Sequence, residues 1–75
     1  MDQDRFEREM MRAKSMEEHG GYPDYWQGYQ RGLVRRFHGI GTDAEHEFWM
    51  SIADDSNHYR AERGRGYRDA FKVNN

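Results

Sequence analysis

The chain lacks cysteine, has one proline, and carries only five isoleucine, leucine and valine side chains among its 75 residues. Without cysteine there are no disulfides, thiolate metal sites or thiol nucleophiles, which fits a reducing cytosol. No apolar run approaches the length of about 18 residues that a membrane-spanning helix needs. The acidic start, Met1-Asp2-Gln3-Asp4, has no apolar stretch behind it and does not read as a secretory signal. We therefore expect a small cytoplasmic domain without membrane contact.

Aromatic residues and methionine are plentiful where aliphatic residues are scarce. The chain has two tryptophans, five tyrosines, four phenylalanines and five methionines. A small number of aliphatic residues can indicate disorder, but disordered chains also carry a high net charge, and the net charge here is only −2. If the chain folds, its core must be built from aromatics and methionine. The sequence places Trp26 and Trp49 in that core.

Glycines and polar clusters divide the chain into four segments whose apolar residues recur at helical spacing. In the first segment Phe6, Met10, Ala13 and Met16 form one stripe, and Gly20-Gly21 ends it. The pattern predicts an all-α fold, a small bundle of three to four short helices in one domain covering residues 1–75. The predicted helices lie at about 2–19, 23–38, 43–53 and 58–72.

Two glycines lie inside the second predicted helix, where each costs about 1 kcal/mol relative to alanine. Gly28 and Gly32 are four residues apart, so they share one helical face. Gly66 and Ala70 repeat this spacing in the fourth segment, each pair with a tyrosine after its first member. We interpret the shared pattern as a packing device that lets two helices meet closely, rather than as a ligand site or a proven repeat.

The third segment begins with a capping box, in which Thr42 would cap the helix and Glu45 would reach back to it. Behind this box an apolar stripe is formed by Ala44, Phe48, Trp49 and Ile52. The sequence predicts that this stripe faces the core.

Charge is unevenly distributed. Residues 42–58 contain five acidic residues and no lysine or arginine. These five are Asp43, Glu45, Glu47, Asp54 and Asp55. One interpretation pairs them with the arginines of the second or fourth helix, which would stabilise the fold modestly. The other presents them to a basic surface of a partner, where complementary charge speeds encounter and fixes register.

Several large side chains lie beside the helical stripes rather than on them, and we expect these at a partner or dimer contact. They are Met11, Tyr22, Tyr25, Met50 and Tyr59. Tyrosine and methionine are enriched at protein interfaces. Together with the five acidic residues, Tyr22, Tyr25, Met50 and Tyr59 form the predicted partner-binding set.

Two other functions remain open. The chain has ten arginines against two lysines, and arginine favours bidentate contacts to phosphate. Direct nucleic-acid binding would use Arg31, Arg35, Arg36, Arg63, Arg65 and Arg68. A sequence pI near 6 is low for a duplex binder. The third possibility is a structural subunit that forms homo-oligomers.

The sequence contains no recognisable catalytic or metal-binding motif. The four histidines, at 19, 38, 46 and 58, do not form the paired spacing that places two imidazoles on one helical face. We interpret them as solvated or capping residues. No phosphate-binding loop or nucleophile elbow is present. We therefore expect no enzymatic activity, no cofactor and no metal.

Three stretches carry a resemblance: DYWQGYQRGL at 24–33, EHEFW at 45–49 and GRGYRD at 64–69. In these the chain resembles small proteins encoded by bacteriophages and mobile elements. In size, lack of cysteine and acidic surface it is similar to the anti-CRISPR class. The resemblance implies a non-enzymatic inhibitor that binds a host protein or protein–nucleic acid complex, its acidic surface occluding a nucleic-acid-binding site. It implies no catalytic residue.

Overall fold

The computed structural model describes residues 1–39 and 43–72, except the side chain of Asp43, and throughout these residues the fold is all-α. Helix α1 spans Gln3–His19, α2 spans Pro23–His38 and α3 spans Asp43–Ser51. A short 3-10 turn, Ile52–Asp54, continues α3, and α4 spans His58–Lys72. The all-α prediction is confirmed. None of the helices described here is long and apolar enough to cross a membrane.

The helix ends follow local capping chemistry. The Asp2 carboxylate accepts a hydrogen bond from the backbone N–H of Arg5 at 2.8 Å and caps α1. The Asn57 side chain does the same for α4, accepting from the N–H groups of Tyr59 and Arg60. Between α1 and α2 the backbone turns at Gly21, whose φ of 86° favours glycine. The predicted capping box depends on Thr42, which lies outside the described residues.

Helices α2 and α4 cross at backbone contact through the two glycine motifs. A β-carbon on Gly28 would overlap the Arg63 carbonyl group and lie 2.7 Å from its carbon. A β-carbon on Gly66 would overlap the Tyr25 carbonyl and lie 2.9 Å from the carbonyl carbon. The two contacts are reciprocal, since each glycine meets the carbonyl three residues before the other. The interpretation of these glycines as a packing device is confirmed.

The core differs from the one expected, because half of its buried apolar residues are alanines. Four alanines, two tyrosines, one leucine and one isoleucine are the buried apolar residues among those described. They are Ala13, Tyr29, Leu33, Ile52, Ala53, Ala61, Tyr67 and Ala70. No methionine, phenylalanine or tryptophan is among them, and Trp26 and Trp49 are only half-buried. The expected aromatic and methionine core is therefore confirmed only in part: Tyr29 and Tyr67 are buried, whereas the other aromatics and the methionines that pack against the cluster are partly exposed.

The shape of the molecule explains this core. Its Cα extents are 36 × 31 × 17 Å, and one helix with side chains is about 10 Å across. The body is therefore about two helices thick, and large side chains lie between the core and solvent. Met10, Phe6 and Trp26 pack against the buried cluster in this way. Backbone contact between α2 and α4 leaves little room at the centre, which is filled by alanines, Leu33 and the flat rings of Tyr29 and Tyr67.

The face that α3 presents to the core only partly matches the predicted stripe, of which Trp49 stacks on Tyr67 and Ile52 is buried. Ala44 is exposed and Phe48 is 50% exposed, although both belong to the predicted inward stripe. His46, predicted to be solvated, instead packs against Tyr67 and Phe71 with ring centroids 5.6 and 5.1 Å away. The inward face accepts His46 because its Nδ1 shares a 2.8 Å hydrogen bond with the Tyr67 hydroxyl. Phe48 instead lies outside under the Arg60 guanidinium, 5.8 Å from its ring centroid.

Candidate functional site

Three of the predicted partner-binding tyrosines come together at one end of the molecule. Tyr22 precedes α2, Tyr25 lies in the first turn of α2, and Tyr59 lies in the first turn of α4. They line two adjoining recesses, which share Tyr22, Tyr25 and Glu62. We call the two recesses together the tyrosine groove. Because α2 and α4 cross at backbone contact, the fold holds their first turns side by side.

The larger recess encloses about 350 Å³ and the smaller about 140 Å³. The larger is lined by Met16, Gly20, Tyr22, Tyr25, Trp26 and Glu62. The smaller is lined by Gly21, Tyr22, Pro23, Asp24, Tyr25, His58, Tyr59 and Glu62. Both linings are mostly apolar and include no lysine or arginine; the larger has the carboxylate of Glu62, and the smaller has those of Asp24 and Glu62. The groove can therefore bury an apolar group, or a group that packs against aromatic rings, beside negative charge.

Tyr22 and Tyr59 are exposed, at 66% and 62% of their surface, whereas Tyr25 is half-buried and fixed. The Tyr25 hydroxyl donates to the Asp69 carboxylate at 2.7 Å. Burial and this hydrogen bond raise the pKa of Tyr25 far above its ordinary value, so the phenol stays protonated. Its ring also meets Trp26 edge-on, with centroids 5.0 Å apart. The groove thus has a rigid floor and two exposed aromatic edges.

The predicted acidic residues whose side chains the structure describes differ in their partners. Glu45 lies against α2, where Arg31 binds one carboxylate oxygen and Arg35 the other. These two hydrogen bonds lower the pKa of Glu45 from 4.5 to about 2. Asp55 pairs with Arg60 at 3.3 Å and accepts a hydrogen bond from the Asn57 backbone. For Glu45 and Asp55 the interpretation of pairing within the fold is the one the geometry favours.

The other predicted acidic residues differ from Glu45 and Asp55 in their partners. Glu47 and Asp54 are exposed, and neither pairs with a base in the part of the chain that the structure describes. The side chain of Asp43 lies outside that part. Met50 is half-buried on α3 and does not line the tyrosine groove, and the exposed Met11 lies on α1, also outside it.

The Glu45 ion pairs make one prediction about pH. Because the pKa of Glu45 is lower in the folded state, its contribution to stability is complete above about pH 5 and is lost as the pH falls from 4.5 toward 2. In Glu45→Gln this contribution is absent, so its urea midpoint is expected to fall less than that of the wild type between pH 6 and pH 3. Urea titrations followed by circular dichroism at several pH values measure this.

The matched control is Glu47→Gln, which removes an exposed carboxylate of the same helix that has no partner among the described bases. Its pH dependence is expected to follow that of the wild type. If Glu45→Gln and the wild type lose the same stability on acidification, the two arginines do not hold Glu45 in solution.

The six arginines of the nucleic-acid alternative are largely used within the fold. Arg31 and Arg35 bind Glu45, and Arg63 binds Asp24 through both Nε and Nη2, at 3.0 and 2.9 Å. Arg65 binds Glu62, and Arg36 donates to the Ala70 carbonyl at 3.0 Å. The Nε atom of Arg68 is buried. This arrangement does not favour a duplex-binding surface, which needs several arginines free to contact phosphates.

Several groove residues were not predicted. The sequence places Trp26 and Met16 on inward helical stripes and gives no role to Glu62 or Asp24. Trp26, Asp24 and Glu62 meet because α2 and α4 cross, for which the glycine spacing is the sequence signal, and Met16 joins them because α1 packs against α2.

Among the described residues, no group of three or more histidine and carboxylate side chains is placed to hold a metal ion. The described residues do form an apolar aromatic groove whose lining includes the half-buried carboxylates of Asp24 and Glu62. No protein family model, no curated protein and no solved structure matches this chain.

Proposed function

We propose that this chain is a non-enzymatic inhibitor of the phage or mobile-element type, which binds a host protein or protein–nucleic acid complex in the bacterial cytoplasm. The observation that carries the proposal is the tyrosine groove, where exposed Tyr22 and Tyr59 flank a preformed apolar recess. The inhibitory role rests on the resemblance to anti-CRISPR proteins.

The composition of the groove supports a protein partner. Tyrosine and tryptophan are the residues most often found at interface hot spots, where they fill or form desolvated pockets. Tyr25 and Trp26 are fixed by their mutual packing and by Asp69, so binding costs little ordering entropy at the floor of the groove. Tyr22 and Tyr59 expose aromatic surface that a partner would cover.

Charge supports a basic partner surface. The first turn of α4 joins the groove to the acidic end of α3, because Tyr59 lines the groove while the next residue, Arg60, contacts Phe48 and Asp55. The exposed carboxylates of Glu47 and Asp54 belong to α3 and to the 3-10 turn that continues it. A partner that covers the groove and this end of α3 would face negative charge. A nucleic-acid-binding site in a host complex faces negative charge in the same way when it holds its nucleic acid, because of the phosphates.

The test is capture of partners from bacterial lysate with immobilised wild type and a Tyr22→Ser/Tyr59→Ser double variant. We expect a partner retained by the wild type to be lost from the double variant, since both exposed aromatic edges of the groove are removed. Met11→Ser is the matched control, because Met11 is 72% exposed on α1 and does not line the groove. Circular dichroism establishes that both variants keep the helical signal.

Two further outcomes separate the alternatives. A partner retained equally by the double variant contradicts the proposal. If nuclease treatment of the lysate abolishes capture, nucleic acid mediates the contact, and the arginine alternative is favoured instead. Sedimentation at two concentrations is expected to give a monomer. A dimer that dissociates in the double variant would assign the groove to a second copy of the chain.

A further inference from the structure

We infer that the larger recess of the tyrosine groove binds a cationic side chain, an arginine or lysine presented by the partner. This inference rests on the proposed function and names the chemistry of the contact. The recess combines three aromatic rings, those of Tyr22, Tyr25 and Trp26, with the carboxylate of Glu62. Aromatic faces attract cations within about 6 Å of the ring centroid, and a carboxylate adds a charged hydrogen-bond acceptor.

The charge of the lining selects against other ligands. No lysine, arginine or histidine lines the larger recess, so an anionic group would meet Glu62 without a compensating base in the lining. An aliphatic group would fit the apolar walls but would leave Glu62 partly desolvated and without a new partner, which is unfavourable. A guanidinium or ammonium group on an apolar stem satisfies both the walls and the carboxylate.

Glu62 is held in place and keeps one oxygen available. Arg65 binds its Oε1 atom. Its Oε2 atom accepts no hydrogen bond from the residues that the structure describes. The carboxylate is therefore oriented by one guanidinium while its other oxygen can accept from a second. Asp24 in the smaller recess repeats this arrangement, since Arg63 uses only its Oδ1 atom.

The fold already pairs guanidinium groups with one of these three rings, that of Trp26, and with two rings outside the recess. Arg12 lies 5.3 Å from the centroid of Trp26 and 5.8 Å from that of Tyr29. Arg60 lies over Phe48 at a similar distance. Arg12 does not line the recess. The surfaces of the aromatic rings that face the recess therefore stay accessible to a cation from a partner.

The experiment uses two small probes, N-acetylarginine methylamide and N-acetylcitrulline methylamide, titrated into the ¹⁵N-labelled chain and followed by NMR. Citrulline has nearly the shape of arginine but no charge. We expect the arginine probe to shift the Trp26 indole and Tyr25 amide signals and to bind at least about threefold more tightly than the citrulline probe. Glu62→Gln is expected to remove this preference, and Glu47→Gln, the matched control outside the groove, to keep it.

The outcomes separate this inference from the proposed function. Equal binding of both probes, absence of binding by either, or shifts confined to residues outside the groove would overturn the cation site. Partner capture that still depends on Tyr22 and Tyr59 would then leave the proposed function standing. If instead the arginine probe binds the recess while the double variant captures its partner normally, the cation site stands and the proposed function fails.

Discussion

Replacing Gly28 with alanine is expected to destabilise the protein by about 3 kcal/mol, at the upper end of what overpacking costs. The added methyl group would overlap the carbonyl group of Arg63, which belongs to the backbone of α4 and cannot be moved by a change of rotamer. At a solvent-exposed position within a helix the effect has the opposite sign, because replacing glycine with alanine there stabilises the helix by about 1 kcal/mol. The sign of the effect therefore reports directly on the contact between α2 and α4.

Urea unfolding followed by circular dichroism measures this effect. A chain of this length has a total stability of about 4–11 kcal/mol, so Gly28→Ala should leave a weakly folded protein with a much lower urea midpoint. Gly66→Ala is expected to cost a similar amount, because its contact with Tyr25 is the reciprocal one. Ser15→Ala, on the exposed face of α1, is the control and should change stability by no more than about 0.5 kcal/mol. A Gly28→Ala protein as stable as the wild type would mean that the helices do not meet here.

The local features of the fold could be predicted from the sequence because they depend on neighbours along the chain. Helical spacing and the Gly20-Gly21 stop define α1, and the spacing of Gly28 and Gly32 indicates a close helix contact. The orientation of α3 could not be predicted in this way. Its sequence offers two faces, one with Phe48 and one with His46. The choice depends on Tyr67, a residue of another helix, whose hydroxyl satisfies the His46 nitrogen.

The same distinction between local features and helix packing applies to the candidate site. Tyr22, Tyr25 and Tyr59 could be selected because they fall beside the apolar stripes, but their convergence follows from the crossing of α2 and α4. The sequence left both interpretations of the acidic residues open, because a count of charges along the chain says nothing about the distances between helices. Glu45 is 14 residues from Arg31 and 10 from Arg35, and these charges come together only because α2 and α3 both pack against α4.

Tyr67 is the second position at which a large effect is expected, because it is fully buried between α3 and the crossing of α2 and α4. Its ring stacks on Trp49, with centroids 5.4 Å apart and planes inclined by 18°, and also contacts Phe71. Tyr67→Ala would remove these contacts and leave a cavity that the adjacent backbones cannot close. The expected loss is about 3–5 kcal/mol, measured by urea unfolding.

Tyr67→Phe isolates the hydroxyl group, since the ring and its packing remain. Burial raises the pKa of Tyr67, so the phenol is protonated at neutral pH and can donate to Nδ1 of His46. Removing it leaves a half-buried ring nitrogen without this partner, at an expected cost of about 1 kcal/mol. Tyr29→Phe is the matched control at the equivalent position of α2. The Tyr29 hydroxyl receives only a long 3.4 Å contact from Arg12, so its removal should cost less than about 0.5 kcal/mol. Equal costs at the two positions would mean that the His46–Tyr67 hydrogen bond does not select the inward face of α3.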